Sequence, residues 1–158
     1  MEKLWAPWRS RYIYLRRQKR CIFCVNRINT KRDKKRYILD RSAHSFSMLN
    51  LYPYNNGHAM VAPFRHVRDL EGLSDEELID LVRMVKRTKA VLDKKLKPEG
   101  YNIGVNMGKV SGAGFDGHIH VHIVPRWLGD TNFMPIIADS KIVSDSLNAL
   151  YGLLRVKL

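Results

Sequence analysis

From Ser74 to about Lys97 the apolar positions recur at helical spacing. Leu78, Leu81, Val82, Val85, Thr88 and Leu92 form one stripe, with Arg83, Lys86, Arg87 and Lys94 off it, which predicts a long amphipathic helix. Ser74 and Glu77 make a capping-box pattern at its start. Asp75 and Glu76 sit in the first turn, where the helix dipole favours acid. Pro98 and Gly100 end it. On both sides the pattern changes to short β-type runs. Tyr37–Leu39 and Ser45–Leu49 read as strands split by a turn-like Asp40, Arg41 and Ser42. Pro53, Asn55, Asn56 and Gly57 make a turn, after which His58–Ala62 resumes as an apolar strand that stops at Pro63. Beyond the helix come YNIGVNM (101–107), a glycine-rich loop (108–117) and a histidine-bearing strand, with a second helix from Ser144 onward. Strands, a long helix, then strands again predict an α+β fold built on an antiparallel sheet.

The bulk numbers narrow the setting. With 158 residues, 45% hydrophobic and 27% charged, the chain reads as one globular domain spanning 1–158. It shows no repeat and no dividing linker. No apolar run approaches the length of a membrane span. The first twenty residues lack the uninterrupted apolar stretch of a secretory signal, so a cytoplasmic location is expected. Twenty-eight Lys and Arg against fifteen Asp and Glu give a net charge of +13. The excess concentrates in a basic N-terminal arm, RSRYIYLRRQKR, and in KRDKKR at 31–36. This favours anionic partners, from nucleotides to nucleic acid. The plainer reading of the charge alone is a well-solvated surface.

Candidate chemistry lies in two places. His118, His120 and His122 alternate with Ile119, Val121 and Ile123, and they are half of the six histidines. On a strand they share one face at about 6.7 Å spacing, with the aliphatic residues on the other. Three imidazoles so close cannot all charge cheaply, so they call for neutral rings, a metal or a bound anion. Neutral imidazole is a good nucleophile toward phosphorus, and a flanking histidine can set its tautomer. The preceding loop carries Gly108, Gly112, Gly114 and Gly117, which can bring backbone N–H groups close to phosphate oxygens, although a simple hairpin explains it almost as well. The second place is Cys21 and Cys24 in CIFC. In a reducing compartment this pair reads as a metal clip or a redox motif, and the thioredoxin-like βαβ context that the redox reading needs is missing.

HIHVHIVP resembles the signature of the histidine triad family. GHAMVAPFRH (57–66) looks like that family's preceding strand, and NIGVNMG like the strand bearing its phosphate-contacting Asn. LWAPWR, CIFC, NLYPYNNGH and PRWLGDTNFMPII resemble the branch that contains dinucleoside tetraphosphate phosphorylases and adenylyltransferase-like proteins. The resemblance implies a sheet of about five strands with one long helix and a C-terminal helix, and a homodimer sharing one sheet. It implies that His120 attacks the α-phosphorus of a nucleotide to give a covalent nucleotidyl-histidine. His122 would contact the phosphate, and His58 would orient the nucleophile, with a backbone carbonyl of the histidine strand as a further partner. Asn106 and the backbone of Gly112, Ala113 and Gly114 would hold phosphate oxygens. Phe46, Leu49 and Trp127 are candidates to line the nucleoside pocket or, for Trp127, to pack at a subunit interface. Trp5, Trp8 and Arg9 would pack across the dimer, and the basic arm would meet distal phosphates. The wider superfamily implies a structural zinc held by Cys21, Cys24, His66 and His118, and Mg²⁺ can accompany the polyphosphate. His44 carries no assigned role.

The chain departs from the pattern at two points. Gly114 and Phe115 stand where many members carry Gln followed by Ser or Thr, so a side-chain donor to the leaving group or acceptor is missing. Val121 resembles the fragile histidine triad hydrolases more than the phosphorylase-like branch. The leading expectation is therefore a hydrolase or transferase acting on dinucleoside polyphosphates such as diadenosine tetraphosphate, with water or phosphate as acceptor. The alternatives are a nucleoside phosphoramidase and a non-catalytic zinc module that holds nucleotides or nucleic acid.

Overall fold

A computed structural model describes residues 21–24, 30–130 and 145–156. The expected arm with Trp5, Trp8 and Arg9 lies outside them, as does Ser144. Five strands form one antiparallel sheet: β1 (Ile38–Arg41), β2 (Ser45–Leu49), β3 (Ala59–Pro63), β4 (Gly100–Val105) and β5 (Val121–Arg126). Their spatial order is β1-β2-β3-β5-β4. Three helices accompany them: the short α1 (Asp33–Arg36), the long α2 (Asp75–Leu96) and α3 (Leu147–Leu154). This is the α+β architecture read from the pattern.

The capping box of α2 is formed as expected. Ser74 Oγ accepts the Glu77 N–H, and the Glu77 carboxylate accepts the Ser74 N–H at 2.9 Å. Lys97 closes the helix in the left-handed conformation. The buried stripe keeps Leu81, Thr88 and Leu92 of the expected one, with Leu78 and Val85 half-buried beside it, but takes Met84 in place of Val82. Leu81, Met84, Thr88 and Leu92 face the sheet, while Val82 is 66% exposed. Steps of three and four residues from Leu81 stay on one face, and Val82 is turned about 100° from it. A second difference lies at Asp40 and Arg41, which continue β1 instead of turning. Asp40 is buried there because the Arg87 guanidinium meets it at 2.6 Å, and Arg41 pairs with Asp33. The turn falls at Ser42–Ser45, closed by the Ser42 N–H on the Ser45 carbonyl. Exposed His44 sits in that turn, with its backbone N–H on Asp80.

Alternation along the central strands divides the core into two layers. Leu49, Ala59, Val61, Ile119 and Ile123 pack against Leu81, Met84 and Leu92 of α2 and Leu150, Tyr151 and Leu154 of α3. Phe46, Met48, Met60 and Ala62 face the other way and are covered by Phe23. Burial on both faces is why β3 is apolar throughout, and why β2 sets only small serines, Ser45 and Ser47, beside its apolar residues. The histidine segment enters this second layer. Leu92→Ala should cost roughly 2–5 kcal/mol in denaturant unfolding, whereas Val82→Ala should stay within about 0.5 kcal/mol. Equal losses at the two positions would contradict the stripe described above.

Candidate active site and metal clip

Two neighbouring clusters occupy the sheet face away from α2. His122 lies in β5, paired with Met60 on one side and Gly104 on the other. His118 and His120 precede the strand, anchored by the Ile119 N–H on the Val67 carbonyl at 2.7 Å. His118 and His120 are buried, so the histidines are not a polar outer face. His58 precedes β3 and is also buried.

The hydrogen bonds fix the tautomer of each ring. The Tyr54 backbone N–H donates to His58 Nδ1 at 3.0 Å, so neutral His58 carries its proton on Nε2. That proton points at His122 Nδ1, 2.9 Å away, and His122 therefore holds its own proton on Nε2. His120 donates from Nδ1 to the His118 carbonyl at 2.9 Å, which leaves the Nε2 lone pair of His120 uncommitted among the described residues. His58 thus orients His122, not His120 as expected from sequence; the strand carbonyl orients His120. The rings of His120 and His122 stand edge to face, 4.9 Å apart. Burial, with the neighbouring imidazoles adding repulsion, depresses His58 to about 3 and His122 to about 4. Burial also lowers His120. At neutral pH the cluster is uncharged and, among the described residues, presents the His120 Nε2 lone pair beside the His122 Nε2–H donor.

The second cluster gathers Cys21, Cys24, His66 and His118, whose candidate ligand atoms all lie within 4.8 Å of one another. Cys21 Sγ is 3.4 Å and Cys24 Sγ 3.6 Å from His118 Nδ1, and Cys24 Sγ is 3.1 Å from His66 Nδ1. Tetrahedral bonds to thiolate sulfur and imidazole nitrogen would set S···N separations of about 3.6 Å, so the donors fit a single ion. His118 donates from Nε2 to the Pro63 carbonyl at 2.9 Å, which turns the Nδ1 lone pair toward the thiols and supplies the outer hydrogen bond of a ligating histidine. Burial, with Cys24 close by, raises Cys21 to about 11, so this thiol keeps its proton until a cation displaces it. These four residues can hold a metal ion.

The other expected site residues divide. Asn106 follows β4 directly, one step beyond the Val105–Val121 pair, and is therefore level with His120. The loop before the histidines contains a 3-10 turn at Lys109–Ser111, with Gly108 and Gly112 both at positive φ and Gly112 in the left-handed conformation. The Gly112 N–H closes that turn on the Lys109 carbonyl at 3.4 Å; Gly112 and Gly114 are exposed and Ala113 half-buried. Phe46 is fully buried on the histidine side, stacked on Phe64. Leu49 is a correction: strand alternation turns it into the α2 layer, on the opposite face. Trp127 follows β5 directly, five residues past His122, roughly 17 Å along the strand. Three neighbours escaped the sequence reading. Phe23 packs tilted against His120 at 4.7 Å and against His118 at 5.1 Å. Tyr54 covers His58 and His122 with its ring, and the Asn50 amide lies 3.4 Å from His58 Nδ1. The available signal was their place inside CIFC and NLYPYNNGH.

His58 and His122 make stability depend on pH. Their folded values lie below the ordinary 6.5, so the unfolded chain binds more protons between about pH 3 and 6.5. Their contribution is complete above pH 6.5 and is lost as pH falls through 4 for His122 and toward 3 for His58. Denaturant midpoints should fall across that window, and His58→Gln should flatten the slope. An unchanged slope in that variant would remove His58 as a cause.

The comparisons with known proteins agree with this geometry. The HIT domain model matches residues 31–127. An AP-4-A phosphorylase of Mycobacterium tuberculosis is 36% identical over 154 residues, covering 93% of this chain and 79% of that protein. An adenosine 5'-monophosphoramidase of Schizosaccharomyces pombe is 36% identical over 106 residues, covering 67% of this chain and 74% of that one. The crystal structure of a Zn-bound histidine triad family protein from Mycobacterium smegmatis superposes with a TM-score of 0.68 at 26% identity, covering 85% of this chain and 90% of that one. The chain belongs to the HIT family of histidine triad proteins.

Proposed function

We propose that this protein cleaves dinucleoside polyphosphates of the diadenosine tetraphosphate type through a covalent intermediate on His120. One observation carries the reading: the His118 carbonyl holds the Nδ1–H of His120, which presents Nε2 as a neutral nucleophile. A bond forms from Nε2 to the α-phosphorus as the P–O bond to the departing nucleotide breaks, its electron pair leaving with the oxygen. His122 donates its Nε2–H to a phosphate oxygen, backed by His58 through the 2.9 Å contact. Asn106 and the backbone around Gly112, Ala113 and Gly114 hold the remaining oxygens, and Phe46 underlies the nucleoside side. An acceptor oxygen then attacks phosphorus and releases His120.

The acceptor decides between phosphorolysis and hydrolysis. The 36% identity to the AP-4-A phosphorylase over nearly the whole chain favours inorganic phosphate. The monophosphoramidase relative supports a second reading, in which an amine leaves instead of a nucleotide. Diadenosine tetraphosphate incubated with phosphate should yield ADP and ATP; without phosphate, AMP and ATP would mark hydrolysis. His120→Ala should reduce kcat at least about 1,000-fold. Turnover that survives His120→Ala would reject the intermediate.

The metal in this reading is a structural zinc on Cys21, Cys24, His66 and His118, and Mg²⁺ arrives with the polyphosphate. The protein works as one domain in the cytoplasm and as a homodimer. The dimer reading is supported by β4, an edge strand with Ile103 46% exposed and open space at Gly100 and Gly104. Its basic arm would reach distal phosphates. Elemental analysis and sedimentation should find a single zinc per chain and a mass of two chains; a metal-free monomer in active preparations would count against both.

A further inference from the structure

We propose that Phe23 is a positioning residue for the nucleophile, and that closure of the metal clip around it fixes the His120 ring. The proposal rests on His120 being the nucleophile. Among the described residues, the His120 ring has one hydrogen bond, from Nδ1 to the His118 carbonyl. A single bond in the ring plane restrains direction but leaves tilt about that bond. Phe23 removes the tilt. Its ring lies over His120 with centroids 4.7 Å apart and planes 30° apart, and over His118 at 5.1 Å and 41°. The edge of His122 limits the remaining side.

The chain ties this ring to the clip. Phe23 stands between the two thiols, Cys21 against His118 Nδ1 at 3.4 Å and Cys24 against His66 Nδ1 at 3.1 Å. An ion bridging those atoms would hold both ends of a four-residue segment and set the Phe23 ring between them. Phe23 is 1% exposed and packs with Ile38, Phe46, Met48, Met60 and Ala62, so a filler role is the competing account. Leucine separates the two. It fills most of the same apolar space without an aromatic face, whereas tyrosine keeps the face.

With zinc bound, Phe23→Leu should keep its metal and hold KM within about threefold, while kcat falls roughly 10- to 100-fold, as expected for a small misplacement of a reacting group. Phe23→Tyr should recover kcat to within about threefold. A second readout does not need turnover. In ¹⁵N-histidine NMR spectra the zinc-loaded protein should show a slowly exchanging Nδ1–H on His120, lost in Phe23→Leu and on chelation of the metal, and retained in Phe23→Tyr. Phe23→Leu with wild-type kcat, equal losses in Leu and Tyr variants, or loss of metal from Phe23→Leu would overturn the positioning role. An intact NMR pattern that depends on the ring, in a protein that turns over no nucleotide, would instead remove the catalytic reading and leave the positioning contact standing.

Discussion

The site is organised by one residue that bonds in three directions. His118 donates from Nε2 to the Pro63 carbonyl, turns Nδ1 toward two thiols, and offers its backbone carbonyl to His120. The first bond ties it to the end of β3, the second makes it a candidate ligand, and the third sets the tautomer of its neighbour. Because all three are made by one buried residue, the metal cluster and the histidine cluster share a part and cannot be rearranged independently. This is the arrangement expected where an outer shell holds a reacting group.

Burial does the electrostatic work in the histidine cluster. Desolvation keeps His58 and His122 neutral well below physiological pH, so the rings approach without mutual repulsion. Neutral rings then form a directed hydrogen-bond chain, from Tyr54 N–H to His58 Nδ1 and from His58 Nε2–H to His122 Nδ1. The net charge of +13 acts on a different scale. It draws anions toward the protein but fixes no atom in the site.

The fold was legible because its signals are local. A capping box, a helical stripe bounded by Pro98 and Gly100, and a turn at Pro53–Gly57 each depend on residues close in sequence. The errors occur where a distant partner overrides a local preference. Asp40 reads as a turn residue until Arg87 of α2 neutralises it inside the sheet. Val82 fits a helical stripe as well as Met84 does, and only the direction of the sheet selects Met84. Leu49 and Phe46 lie on one strand three residues apart, so alternation sends them to opposite layers.

The sequence alone determined the residue types and spacings of this protein: alternating histidines before an apolar strand, a Cys pair, a long helix between strands, and the family signature they compose. These follow from periodicity and side-chain chemistry, which are properties of neighbours along the chain. Tertiary structure alone decided which ring donates to which atom, that His58 serves His122 rather than His120, and that Phe23 packs against the His120 ring. Those relations join residues up to 97 positions apart. Their geometry exists only once the strands are registered and the imidazoles have lost their water.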